Sequence, residues 1–110
     1  MSYSKYGNEP TEYDGRKFDS KAEKDRYVTL STWQNLGAIE GLECQKKYVL
    51  CKGRWNNGKP FSISYVADFV YILDGETIVE DVKGYKTEVY ELKKKLMKAV
   101  YGIEIQEVRK

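Results

Sequence analysis

The chain has no histidine in its 110 residues. That absence removes the usual zinc sites, Ser-His-Asp triads and Cys-His dyads, and leaves carboxylates, lysine and tyrosine to carry any catalysis. Cysteine is scarce: Cys44 and Cys51 stand alone, outside any paired metal-ligand spacing such as C-x-x-C, and read as small strand hydrophobes with free thiols. Proline occurs only twice, and apolar residues reach 41% against 33% charged, a balance that excludes a disordered chain and allows one real core. No apolar run approaches the ~20 residues of a membrane span, and the polar N-terminus has no signal-peptide core. A cytoplasmic protein with no membrane partner is the expectation.

Net charge is also small, at +2 from 19 basic and 17 acidic residues, so bulk charge does not prove a polyanionic partner. Distribution carries more. Lys46-Lys47, Lys52, Arg54, Lys59, Lys86 and the run Lys93-Lys94-Lys95 with Lys98 are spaced to line a groove for phosphates, or to form a solvated face.

What is present centres on Phe61 to Gly84, FSISYVADFVYILDGETIVEDVKG. Asp74-Gly75 is a strong hairpin signal, because a two-residue type I′ turn needs positive φ at both positions. With that loop, Leu73 faces Glu76, and the same register sets Asp68 across from Asp81. Opposed carboxylates roughly 5 Å apart repel by about 3 kcal/mol at an effective dielectric of 20. Asp68 shares its strand face with Val66, Val70 and Ile72, which predicts burial. The charge conflict requires a shared proton or a cation between the two acids, and hard divalent ions take such oxygen ligands. Lys83 falls on the same face as Asp81.

Residues 1–17 read as an N-terminal arm or small hairpin, with an Asp14-Gly15 turn. Residues 18–110 read as the main domain. Asp19 or Ser20 opens a helix to about Leu36, with Ser20 to Glu23 matching the S-x-x-E capping box. Glu23, Tyr27, Leu30 and Gln34 share one face of it, so Glu23 is either a cap alone or an acid on the core side. Gly37 ends the helix. A strand follows over Leu42 to Cys51, with Leu42, Cys44, Lys46, Tyr48 and Leu50 on one face and Gln45 on the other. Asn57-Gly58 marks a reversal, and Arg54 and Trp55 at that tip are candidates to stack on a nucleotide base. After Gly84, a helix from about Thr87 to Tyr101 carries Val89, Leu92, Leu96 and Val100 as its apolar stripe, and Ile103 to Val108 alternates as a last strand. The order predicts an α/β fold with a mixed central sheet flanked by helices.

Glu23, Asp68 and Asp81-Val82-Lys83 in this order of elements resemble the active-site pattern of the PD-(D/E)XK nuclease superfamily, with its restriction-endonuclease-like αβββαβ core. FDSKAEKDRY, YVADFVY, VEDVKG and LKKKLMKAVYGIEIQEV are similar to a phage-associated family of small nuclease-like, Holliday junction resolvase-like proteins, over roughly Phe18 to Val108. Two departures stand out: Ala67 precedes Asp68 where the superfamily name has Pro, and Asp81 stands where Glu is more usual. The resemblance implies a Mg²⁺- or Mn²⁺-dependent DNA endonuclease, with branched DNA as one candidate substrate, a homodimer as one candidate assembly and the host cytoplasm as the setting. It implies that Asp68, Asp81, the Val82 carbonyl and Glu23 hold metal, that Lys83 positions water, and that Gln45 orients it. Lys86, Lys93, Lys46, Arg54 and Trp55 are then candidate nucleic-acid contacts. The alternative is a non-catalytic nucleic-acid-binding or protein-interaction module on a nuclease fold.

Overall fold

The computed structural model describes residues 11–82 and 86–109. A small hairpin comes first, β1 (Thr11–Tyr13) and β2 (Arg16–Phe18), turning through Asp14 and Gly15, both at positive φ. Helix α1 (Lys21–Asn35) starts where Ser20 Oγ accepts the Glu23 N–H at 3.2 Å, and stops at Leu36 and left-handed Gly37. Strands β3 (Glu40–Arg54), β4 (Pro60–Leu73) and β5 (Glu76–Val82) follow, then helix α2 (Glu88–Tyr101) and the short β6 (Gln106–Val108). Thr87 caps α2 by accepting the Tyr90 N–H at 3.0 Å, and Gly102, at φ 71°, ends it. The protein is thus an α/β fold with the αβββαβ order expected from the sequence. Its four-stranded sheet runs β3-β4-β5-β6, antiparallel except for the parallel β5–β6 pair, and the two helices flank it.

The Asp74-Gly75 turn forms as the sequence requires, with φ 52° and 82°, and the Leu73–Glu76 register holds through Phe69–Glu80. One apolar layer packs on α1 around Leu30, Ile39, Phe69, Tyr71 and Val82. The other packs on α2 around Tyr48, Tyr65, Ala67, Val79 and Met97.

Three expectations are corrected. Leu42 and Cys44 pack with the α1 layer, whereas Tyr48 and Leu50 pack with the α2 layer, so β3 does not keep one face. Gln45 causes the change: its φ of 55° breaks strand alternation. Opposite it in β4, Phe69 faces α1 while Ala67 and Tyr65 face α2, so both strands turn over at Gln45 and Asp68 without a change of register. As a result Val66 is 46% exposed rather than buried beside Val70. The second correction is α2, whose expected stripe is largely outside: Val89, Leu92 and Val100 are exposed, and Tyr90, Leu96 and Met97 pack inward. Tyrosine explains the rotation, since Tyr90 packs on the core, the exposed Tyr101 meets the Tyr48 ring edge-on, and their hydroxyls donate to Glu107 (2.8 Å) and the Val49 carbonyl (2.7 Å). Third, the final strand is confined to Gln106–Val108, although Ile105 is still buried.

Candidate acidic site

The turnover at Asp68 sets the geometry of the site. Beyond Phe69–Glu80 the β4–β5 ladder gives way, and the Asp68 carboxylate takes the place of a backbone acceptor: Oδ2 receives the Val82 N–H at 2.8 Å. Asp68 is therefore not a simple cross-strand partner of Asp81. It bridges the mouth where the strands part. Its Oδ1 meets the Gln45 amide at 3.4 Å, across the other neighbouring strand.

Glu23 enters this mouth from α1. The Ser20 cap turns the first helical turn so that Glu23 is 7% exposed, with Oε2 accepting from Ser20 Oγ at 3.4 Å and Oε1 buried without a hydrogen-bond partner. Burial, then the adjacent Asp68 charge, then Asp19, push the Glu23 carboxyl up to about 8. Burial raises Asp68 as well, opposed by the Val82 N–H and by hydrogen bonds with Glu23 and Gln45. Near neutral pH this environment favours the protonated form of Glu23. Asp81 lies on the α2 side, where Tyr65 Oη donates to Oδ2 at 2.8 Å; burial and the Asp68 charge raise it to about 6.

Of the residues singled out in the sequence, the structure brings together Glu23, Asp68, Asp81, Gln45 and the Val82 backbone. Lys83 lies outside the described residues. Lys46 pairs with Glu43 at 3.1 Å and sits over the Tyr48 ring, Lys86 is exposed ahead of α2, and Lys93 is half-buried on it. Arg54 and Trp55 are at the far tip of the β3–β4 hairpin, seven residues from Asp68 at Phe61, or roughly 23 Å along a strand.

Two features escaped the sequence reading. Tyr65 is three residues from Asp68, a spacing that strict alternation puts on the opposite face, and only the turnover brings its hydroxyl to Asp81. Glu80 does point away from Asp81, as alternation requires, but it is 1% exposed and anchors a network. Arg26 grips it with two bonds, Nε to Oε1 at 2.8 Å and Nη2 to Oε2 at 2.7 Å, and Tyr71 Oη donates to it too. This clamp ties the helix that carries Glu23 to the strand that carries Asp81.

Among the described residues no group of three or more His, Cys, Asp or Glu side chains is arranged to hold a metal ion. The donor set nevertheless fits a hard cation in kind: three carboxylates supply oxygen ligands, burial and the Asp68 charge raise both Glu23 and Asp81, and Glu23 Oε1 has no hydrogen-bond partner. Among the described residues no helix is long and apolar enough to cross a membrane. The thiols of Cys44 and Cys51 are free, as expected.

Fold and site together define an α/β protein in which the half-buried Asp68 carboxylate occupies the split between two central strands, beside the buried Glu23. The chain belongs to the family described as "Protein of unknown function (DUF1064)", whose profile matches residues 3–109. No curated protein matches it.

Proposed function

We propose that this protein is a divalent-metal-dependent phosphodiesterase, a DNA endonuclease of the cytoplasm. The observation that supports the reading is the place of Asp68 between Glu23 of α1 and Asp81 of β5: burial raises all three acids and the Asp68 charge raises its two neighbours, which favours protons or a cation there. Glu23, Asp68, Asp81 and the Val82 carbonyl would hold Mg²⁺ or Mn²⁺. When bound, the ion would polarise a phosphodiester and lower the pKa of a water.

The chain's own residues prepare that site. The Val82 N–H fixes Oδ2 of Asp68 and Tyr65 fixes Oδ2 of Asp81, which orients the other oxygen of each carboxylate toward a cation. Glu23 would offer its unpartnered Oε1 to the cation in its ionised form. Lys83, directly after Val82 in the chain, orients the attacking water and stabilises developing negative charge. Gln45 holds the other edge of Asp68. A two-fold dimer would present two such sites to two strands, which suits branched DNA.

The test is a cleavage panel of linear, flapped and four-way DNA in Mg²⁺ and in Mn²⁺. Asp68→Asn and Asp81→Asn should each lower cleavage by roughly 100-fold or more, since loss of even an outer-sphere partner costs 10–100-fold, while circular dichroism stays unchanged. Failure of the wild type to cut any of these substrates would overturn the reading. The second reading, a non-catalytic nucleic-acid-binding module, is favoured by the separation of the Arg54–Trp55 tip from the acids, and predicts binding without cleavage.

A further inference from the structure

Half of the β3–β4 hairpin has no third strand beside it. β5 pairs with β4 only from Phe69 to Leu73, so Pro60 to Ala67 are paired with β3 alone. The 22 residues from Lys46 to Ala67 contain Lys46, Lys47, Lys52, Arg54 and Lys59 and no acid at all. With 19 basic and 17 acidic residues in the chain, the other 88 keep 14 and 17, a net −3. The ribbon is thus a +5 projection on an otherwise acidic body.

Its tip carries a built aromatic surface. Phe61 lies flat across Gly53, so close that a Cβ there would stand 2.4 Å from Phe61 Cζ. Trp55 packs on that ring at a tilt of 49°, centroids 5.0 Å apart, and remains 62% exposed. Arg54 is held beside it by Nη1 donating to the Gly58 carbonyl at 2.8 Å, and the Asn57 side chain braces the loop through the Lys59 N–H at 3.0 Å. Arg54, Trp55, Asn56 and Asn57 line one open hollow of about 420 Å³, and Lys52, Arg54 and Phe61 belong to a second of about 670 Å³. A large exposed indole, held rigid from below and flanked by guanidinium and ammonium groups, is the arrangement that stacks a base and neutralises its phosphates.

We propose that the β3–β4 ribbon is a single-strand nucleic-acid arm, in which Trp55 stacks an unpaired base while Lys52, Arg54 and Lys59 contact the flanking phosphates. The arm deepens the nuclease reading only in its choice of ligand. It would hold an unpaired segment roughly 23 Å from the acidic mouth.

The test uses the whole chain in EDTA, so that cleavage plays no part. Trp33→Phe leaves Trp55 as the remaining tryptophan of the two. Titration with dT15 should quench its fluorescence saturably, and inorganic polyphosphate, which has charge and no bases, should not. Trp55→Ala, read by anisotropy of labelled dT15, should weaken binding roughly 5- to 150-fold, the loss of one stacked base. Lys52→Ala should reduce the salt slope by about 0.7, the contribution of one phosphate on a single strand. Wild-type affinity in Trp55→Ala, absence of dT15 binding, or equal quenching by polyphosphate would each overturn the arm. Binding in a protein that never cuts DNA would uphold the arm and sink the nuclease. Cleavage without dT15 binding at Trp55 would do the reverse.

Discussion

Glu23 shows how one residue serves a helix and a site together. Its backbone N–H is capped by Ser20, and its side chain turns inward to meet Asp68. The S-x-x-E pattern is therefore more than a cap alone: the cap uses the backbone N–H of Glu23, and its carboxyl is buried on the core side. Its raised pKa has a signed consequence for stability. The folded state binds a proton that the unfolded state has already released between about pH 4.5 and pH 8, so unfolding free energy falls as pH rises through that window. One such proton gives a slope of up to about 1.4 kcal/mol per pH unit. Thermal melts in EDTA should show this decline, and Glu23→Gln, which cannot ionise, should flatten it. An unchanged slope in the variant would refute the assignment. The Arg26–Glu80 clamp yields a second residue-level expectation. Arg26→Ala strands a carboxylate that is 1% exposed, and loss of one partner of a buried pair costs about 3–5 kcal/mol. Denaturant unfolding should register it, with Glu80→Gln milder because an amide still receives from Tyr71 or Arg26.

At the level of elements, the turn signals were legible because each is local chemistry. Asp14-Gly15, Asp74-Gly75, the Ser20 and Thr87 caps and the Gly37 and Gly102 stops all sit where their residue types demand. The faces of β3 and α2 were not legible. Alternation presumes unbroken extended backbone, and Gln45 in a left-handed conformation has no composition signal to announce it. Hydrophobic periodicity also ranks Val89 and Leu92 above tyrosine, while the packing chose Tyr90 and Tyr101, whose hydroxyls found partners. Gln45 then offers a test of the turnover itself. A left-handed backbone costs an L-residue about 1–2 kcal/mol that glycine does not pay. Gln45→Gly should keep or raise the melting temperature despite losing a 3.4 Å contact to Asp68, whereas Gln45→Val, β-branched at positive φ, should lower it. Equal melting temperatures for the two variants would mean that φ at 45 is not held positive.

Across the whole molecule, charge and topology act together. The αβββαβ order was readable because each element is punctuated, and the hairpin register followed from its turn. The convergence of three acids was readable in part: the register placed Asp68 near Asp81, and helical spacing put Glu23 on the inner side. The strand split and Tyr65 were not, since they arise from packing across the sheet. Burial raises all three acids, and on the proposed function a cation bound among them would stabilise the whole fold. An ion that binds the folded form with a dissociation constant of about 1 mM adds about 1.4 kcal/mol at about 10 mM, which is roughly 5–10 °C in a domain of this size. Melting in Mg²⁺ or Mn²⁺ against EDTA should show such an increment at pH 8 and less at pH 5, where protons compete for Glu23 and Asp81. Asp68→Asn and Asp81→Asn should each melt as high as the wild type or higher without metal, because repulsion in the mouth is relieved, yet gain little from it. An increment equal in wild type and variants would place the ion elsewhere on the molecule, and with it the chemistry assigned to the split between β4 and β5.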